Sequence, residues 1–440
     1  MSIVQRIISD AALLGAFSPL ERYPRAALAV SGGPDSMSLM HLASRWIEVI
    51  GRSPSSAAVL TVDHALRPES QQEARFVAAE AASLGFSHAI LHWTGEKPES
   101  GIQAAARRAR YGLLTDYCRT QDLSCLVTAH TEDDQAETFL MRLRRGSGLD
   151  GLAAMAVVSE RGGVPLLRPL LGFSKARLVA YLRSQKLRYI SDPSNENMAF
   201  ERVRLRHAMK ACARAGIARP ALARAASRLG RAREALTSTA AGFLENEFRV
   251  TNLGQGQIGL DALHGLPAEI ALRVLSQVLA LVGGKEDAPR MAKVERVLGD
   301  LRAGKREAAL GSCLLIASQG MLNLYREPGR MRLAAVPALP GNVCVWDGRF
   351  VLAFAEDTDP DVAVSPLGAA GWTLCRKSLK DRGPESTPNR LAALTTPALW
   401  KAGQLVAAPT LNYVNACAPS FSGALAIRLV PRLSHFLRPD

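Results

Sequence analysis

Cysteine is scarce in this sequence and poorly placed for any bonding role. The seven cysteines (Cys118, Cys125, Cys212, Cys313, Cys344, Cys375 and Cys417) are scattered, odd in number and never spaced as CxxC. That argues against a disulfide framework, a structural zinc site or an iron–sulfur cluster, and most read as small buried apolar residues. Aromatic residues make up only 5% while alanine is abundant, which suggests a helix-rich chain. No apolar run approaches the roughly 20 residues that span a bilayer, so no membrane partner is expected. The opening stretch Met1–Pro19 is mildly amphipathic, carries Arg6 and Asp10 and lacks a long apolar core. No signal peptide is read there, and a cytoplasmic location is expected. Internal repeats and low-complexity tracts are absent too. So is the Walker pattern GxxxxGK followed by serine or threonine, which makes γ-phosphate transfer an unfavoured reading.

What is present is an ordinary globular composition: 440 residues with 48% hydrophobic content, enough for two or three domains with substantial cores. Lysine and arginine number 54 against 40 acidic residues, a net charge of +14. Such a balance implies an acidic partner, most plausibly nucleic acid, unless it merely reflects an arginine-rich genome. Clustering decides between the two. Between Glu201 and Glu234 stand Arg202, Arg204, Arg206, Lys210, Arg214, Arg219, Arg224, Arg228, Arg231 and Arg233, opposed only by the bounding glutamates. A block of this kind on a helix suits a phosphate backbone, though not every arginine need touch RNA.

The first part of the chain alternates short apolar runs with helical periodicity. Strands are expected at Ala26–Val30, Ala57–Val62, His88–Trp93, Ser124–Ala129 and Val164–Leu171. Helices are expected at Ser36–Ile50, Glu69–Leu84, Gln103–Thr120, Asp134–Arg145 and Ser174–Gln185, the last capped by Ser174. This alternation predicts an α/β fold with a parallel sheet covered on both faces. A turn-rich break at Asp192-Pro193-Ser194-Asn195 precedes one or two long helices over Arg202–Glu247. Leu260–Gly304 reads as helical, Leu310–Tyr325 as short strands, and the proline-punctuated remainder from Val336 as a small α+β region. The expected division is 1–207, then a helical domain at 208–330, then 331–440.

The first apolar run ends in Ser31-Gly32-Gly33-Pro34-Asp35-Ser36 and passes into a helix. A helix start offers unpaired N–H groups and partial positive charge to an anion. Gly32 and Gly33 permit positive φ and close backbone approach, and Ser31 and Ser36 add hydroxyls. Asp35 would repel a phosphate unless Mg²⁺ bridged the two. A plain glycine turn capping a helix is the alternative, and a lone Ser-Gly-Gly would favour it.

Further candidates stand where the other strands should end. Val62-Asp63-His64-Ala65-Leu66-Arg67-Pro68-Glu69-Ser70 follows the second strand, at the sheet edge where ligands of open parallel sheets bind. Arg107 and Arg110 share one helix face at i, i+3, and a solvated basic face is the alternative, especially for Arg108. His130, Asp134 and Glu137 would converge if their turn is helical. Carboxylates grouped beside a phosphate loop suit Mg²⁺ binding and an incoming amine. Acidic residues favoured at a helix start are the competing reading.

The hexapeptide resembles the SGGxDS pyrophosphate loop of the N-type ATP pyrophosphatases, the PP-loop superfamily with a Rossmann-like sheet. Together with Asp63–Ser70, Gln103–Tyr111 and Ala129–Thr138 in this order, it resembles the tRNA(Ile)-lysidine synthase family. Arg142–Leu152, Arg168-Pro169-Leu170-Leu171 and Asp192–Asn195 leading to Arg202 and Arg206 extend the similarity over Ala26–His207, more weakly over Leu260–Arg326. Two departures stand out: Ala65 replaces an expected glycine, and Val203 an expected asparagine.

The resemblance implies ATP and Mg²⁺ as cofactors, with an isoleucine tRNA bearing a CAU anticodon and free L-lysine as partners. ATP adenylates the wobble cytidine and lysine then displaces AMP. It assigns Asp35 to Mg²⁺, Arg107 to the charge that develops during adenylation, and Asp134 with Glu137 to the lysine amine. Ser31, Gly32, Gly33, Pro34, Asp35, Ser36, Asp63, His64, Arg110 and His130 are assigned to the nucleotide. A homodimer is compatible with the sequence and is not fixed by it. An amidotransferase of the same superfamily would need an N-terminal cysteine, and a thiolase would need CxxC pairs. A non-catalytic RNA-binding relative is disfavoured by the intact Asp35, Asp134 and Glu137.

Overall fold

The computed structural model describes residues 8–64, 70–95, 97–98, 101–190, 201–329, 335–381, 388–416 and 425–436. Ala65, Arg67 and the Asp192–Asn195 turn lie outside them, as do the side chains of Arg202 and Val203. Two compact units divide the chain, Met1–Arg233 and Glu234–Asp440.

The first unit holds a six-stranded sheet of β1 (Ala26–Ala29), β2 (Ala57–Asp63), β3 (Ser87–His92), β4 (Cys125–Val127), β5 (Val158–Arg161) and β6 (Val164–Leu167). Their spatial order is β3-β2-β1-β4-β6-β5, parallel throughout except for the edge strand β5, which runs against β6. Five strands match the sequence expectation; β5 was not anticipated, because its residues are half-exposed or exposed and carry no apolar run. The register explains why the other strands are so apolar. Val59, Leu28, Val127 and Leu167 form one row across four strands and face one core cluster. Their neighbours Ala58, Ala27, Leu126 and Leu166 form the next row and face the opposite cluster. Side chains alternate across a strand, so a sheet packed on both faces needs apolar residues at every position.

Helices α1 (Asp10–Phe17), α2 (Pro34–Val49), α3 (Ser70–Ser83), α4 (Ile102–Thr120), α5 (Glu132–Arg144) and α6 (Lys175–Ser184) belong to this unit, as does α7 (Glu201–Arg214). Strand order reverses between β1 and β4. The loops that leave these two strands therefore flank a crevice at the carboxyl edge of the sheet, where such folds bind ligands. A long helix, α8 (Arg219–Glu247), contains the boundary between the units.

In the second unit α9 (Ala268–Val282) buries Ile270, Ala271, Val274, Leu275, Val278, Leu279 and Val282, the spacing of one helical face. It shares a core with α10 (Met291–Arg302) and an antiparallel sheet of β7 (Arg249–Val250), β8 (Gly256–Gly259), β9 (Glu307–Leu310), β10 (Cys313–Ser318) and β11 (Met321–Arg326). Two further sheets, one of five strands and one of three, follow within the same unit, accompanied by α11 (Gly368–Asp381). β10 and β11 fall in the Leu310–Tyr325 stretch expected to form short strands, whereas β7 and β8 add to that sheet from residues too few to show a period in the sequence.

Charge is buried in this second unit in an unusual way. Asp347 accepts from Arg326 Nη2 at 3.0 Å and from Arg349 Nε at 2.9 Å, and all three side chains are at most 3% exposed. Arg326 Nη1 donates to the Ser312 and Glu327 carbonyls, and Arg349 Nη2 to the Thr395 carbonyl. Burial pulls the Arg349 guanidinium down to about 10, while Asp347 opposes the shift. One carboxylate therefore serves two guanidinium groups, and removing it strands both. Replacing Asp347 by alanine should cost about 3–5 kcal/mol, read as a lower urea midpoint of the full chain.

Candidate active site

The Ser31–Ser36 turn is shaped from within. Gly32 has φ +83°, and a Cβ there would sit 2.6 Å from Ile190 Cδ1; the same residue's carbonyl accepts the Ile190 N–H at 2.9 Å. The left-handed φ favours glycine, and a Cβ would in addition force the Ile190 side chain to shift. The buried Ser36 hydroxyl donates to the Gly33 carbonyl at 3.0 Å and accepts the Ser31 N–H at 3.1 Å. Expected as a phosphate donor, Ser36 holds the loop in shape, while Ser31 stays exposed. Gly33 is the N-cap of α2 and provides no side-chain cap, which leaves the first-turn amides open to an anion.

Asp35 lies in the first turn of α2, its side chain 24% exposed. Its Oδ2 is 3.3 Å from Lys175 Nζ, and its buried Oδ1 has no hydrogen-bond partner. Burial pushes the carboxyl above the usual carboxylate range; Lys175 works against this, and Asp134 and Asp133 add to it. A buried carboxylate oxygen without a partner, beside two further carboxylates, is a place that favours a cation.

Of the three residues expected to converge after β4, Asp134 and Glu137 both act on Arg206, while His130 pairs with Thr128. Thr131 caps α5, and Asp134 Oδ2 accepts both the Thr131 N–H and the Thr131 hydroxyl at 2.9 Å. The competing reading of Asp134 as a helix-start residue thus holds for that oxygen, while its charge still acts on Asp35. Glu137, only 3% exposed, accepts from Arg206 Nε at 2.6 Å. Burial disfavours the charged Arg206, but the Glu137 hydrogen bond and the fields of Glu137, Asp134 and Asp35 raise its pKa. His130 Nδ1 lies 2.9 Å from the Thr128 hydroxyl. Asp133 accepts the Lys175 backbone N–H at 2.8 Å and Arg219 Nη1 at 3.0 Å.

Asp35, Asp134 and Glu137 therefore gather around one arginine. Lys175 and Arg219 join the same cluster through Asp35 and Asp133, yet their sequence neighbourhoods offer only an isolated lysine after a helix cap and one more member of a basic block.

The β2–β3 side of the site is organised around His64. Arg110 donates to His64 Nε2 from Nε at 3.3 Å, and Arg110 Nη2 lies 3.2 Å from the same nitrogen. Burial first, then Arg110 and Lys97, pull the imidazole down to about 4 despite Asp63. The Trp93 ring meets His64 edge-on at 5.8 Å, and the buried Asp63 places Oδ2 3.5 Å from His92 Nδ1. Arg107 is exposed on α4 and lies over the Tyr111 ring at 5.2 Å, as Arg161 does at 5.0 Å. The shared helix face thus sends Arg110 to His64 and Arg107 over Tyr111.

The described cysteines are all free, consistent with their expected role as apolar residues; burial lifts Cys118 to about 11 and Cys125 and Cys313 to about 12. Among the described residues no helix is long and apolar enough to cross a membrane.

Comparison with known proteins identifies the family. The PP-loop domain family matches residues 8–212. A tRNA(Ile)-lysidine synthase of Ruegeria pomeroyi is 40% identical over 89% of this chain and 90% of its own length. One from Rhodopseudomonas palustris is 44% identical over 74% of this chain and 93% of its own. This chain belongs to the tRNA(Ile)-lysidine synthase family. It is accordingly a ligase of the ATP pyrophosphatase type acting in tRNA modification. Among solved structures, a U34-tRNA thiolase from Methanococcus maripaludis is similar at 16% identity, covering 51% of this chain and 79% of its own with a TM-score of 0.43.

For a member of this family the state of His64 matters, because a neutral imidazole accepts from Arg110 and a charged one cannot. The folded pKa lies below the ordinary value near 6.5, so the unfolded chain takes up the proton first. Stability from this site is therefore full above about pH 6.5 and declines as pH falls toward 4. In an NMR titration the His64 ring signals should stay fixed from pH 8 to 6 and move near pH 4. Arg110→Ala should shift that midpoint upward.

Proposed function

We propose that the chain converts the wobble cytidine of an isoleucine tRNA with a CAU anticodon into lysidine, using ATP and free L-lysine. The observation that carries this reading is the Asp35 carboxylate at the uncapped start of α2, with Asp134, Glu137 and Arg206 beside it. In the first step the C2 carbonyl oxygen of cytosine attacks the α-phosphorus of ATP, and pyrophosphate leaves. In the second the lysine ε-ammonium gives up a proton to solvent, the resulting amine attacks C2, the C–O bond breaks and AMP departs. A cytosine oxygen is a poor leaving group until it carries AMP.

The Ser31–Ser36 backbone and the α2 amides bind the departing phosphates. Asp35 is the residue that would hold Mg²⁺, its unpartnered Oδ1 being the oxygen that fits one. Among the described residues no three carboxylate, imidazole or thiol groups are arranged to hold a metal. Mg²⁺ is often bound by one or two carboxylates plus substrate phosphates, and this donor set suits that mode. The ion supplies neutralisation of phosphate charge. Arg107 offsets the charge that develops at the α-phosphate, and Asp63, His64, Arg110 and His130 line the nucleotide side. Asp134 and Glu137 orient the lysine amine; because Glu137 Oε1 already accepts from Arg206, the incoming ammonium shares this carboxylate with the guanidinium.

The basic block divides by role. Arg206 and Arg219 are engaged with Glu137 and Asp133. Arg214, Arg224, Arg228 and Arg231 are exposed and are assigned to the tRNA backbone. The expected three-part organisation (1–207 catalytic, 208–330 and 331–440 contacting tRNA), a cytoplasmic location and a homodimer complete the proposal.

Incubation with ATP, Mg²⁺, labelled lysine and CAU-anticodon tRNA transcripts tests it. Label should enter the isoleucine tRNA, and ATP turnover without incorporation would sink the lysine assignment. Asp35→Asn should lower incorporation by on the order of 100-fold or more.

A further inference from the structure

Lys175 is the residue whose placement the two-step reading leaves unexplained. Its ammonium lies 3.3 Å from Asp35 Oδ2, and the side chain is 42% exposed. The backbone that carries it is fixed from three directions. Its own N–H donates to Asp133 Oδ2 at 2.8 Å, and the Glu132 N–H donates to the Phe173 carbonyl at 3.0 Å. The Ser38 hydroxyl of α2 donates to the Leu178 carbonyl of α6 at 3.4 Å, both groups being buried. The start of α6 is thus tied both to the loop after β4 and to the helix that begins with the phosphate turn. A long, partly exposed cation on so rigid a base has only its four-carbon stem free to move.

Where it can move is limited by charge. Asp35 is the residue next to Pro34 in a turn whose helix-start amides are open to an anion, so an ammonium paired with Asp35 is within a short side-chain rotation of an anion bound there. A surface ion pair of this exposure stabilises the fold by little, which gives a structural explanation small weight. An ammonium and a divalent cation also compete for one carboxylate, and a metal held there would displace the lysine toward phosphate oxygens.

We propose that Lys175 is a phosphate-binding group of the ATP loop, held on Asp35 until nucleotide arrives and then bonded to the β- and γ-phosphate oxygens that leave as pyrophosphate. This rests on the reading of Ser31–Ser36 as the ATP loop, and it adds a residue from a distant helix to that loop.

The test is equilibrium binding by calorimetry on the full chain, with Mg²⁺ and without tRNA or lysine, using ATP, pyrophosphate and AMP as separate probes. Lys175→Met should weaken ATP and pyrophosphate by about 10- to 100-fold, the range for loss of one charge-assisted bond, and leave AMP unchanged. Lys175→Gln should show the same split, and Lys175→Arg should restore part of the affinity. Equal loss for AMP and ATP would mark a merely structural role and overturn the inference. Undiminished ATP binding by Lys175→Met would overturn it too, leaving the ATP loop itself intact. A wild-type protein that binds neither ATP nor pyrophosphate would instead remove the ATP reading and this inference with it.

Discussion

Negative charge gathered at the carboxyl edge of a parallel sheet has to be balanced, and in this protein that requirement arranges the site. Asp35, Asp133, Asp134 and Glu137 come from two helix starts on either side of the strand-order reversal. Helix dipoles favour carboxylates at such starts but do not cancel their mutual repulsion. Cations from elsewhere do: Lys175 on Asp35, Arg219 on Asp133, Arg206 on Glu137. Each arrives from a helix later in the chain, so the same charge balance that prepares the site also draws α6, α7 and the start of α8 to it.

The balance is looser at Asp35. Glu137 and Asp133 are met by guanidinium groups at 2.6 and 3.0 Å, whereas Asp35 is met by an ammonium at 3.3 Å. The buried trio of Arg326, Asp347 and Arg349 in the second unit shows what a purely structural solution looks like. There all three side chains are sealed from water, and backbone carbonyls accept from both guanidinium groups. Closed networks rigidify, while an open carboxylate beside an uncapped helix start remains available to ligands.

Much of the first unit was legible in the sequence because the signals were local. Continuous apolar runs at β1, β2, β4 and β6 follow from burial on both faces, and Gly32 follows from a left-handed turn pressed against Ile190. The capping role of Ser174 was equally local. Edge strand β5 was missed because an exposed antiparallel strand needs no apolar run. The sheet formed by β7 to β11 was only partly visible, since its first strands are too short to carry a period.

The sequence by itself determined the strand–turn–helix whose start is open to an anion, the order of the sheet-edge motifs and the basic character of residues 202–233. Those features depend on neighbours a few positions apart, where spacing dictates geometry. Only the tertiary structure decided which arginines are consumed by carboxylates, that Ser36 serves the loop's shape, that His64 is a neutral acceptor for Arg110, and that Lys175 reaches Asp35. Glu137 and Arg206 are 69 residues apart, and Asp133 and Arg219 are 86 apart. Pairing over such separations is settled by how helices pack on the sheet, and a charge in a sequence carries no record of the partner that packing will bring to it.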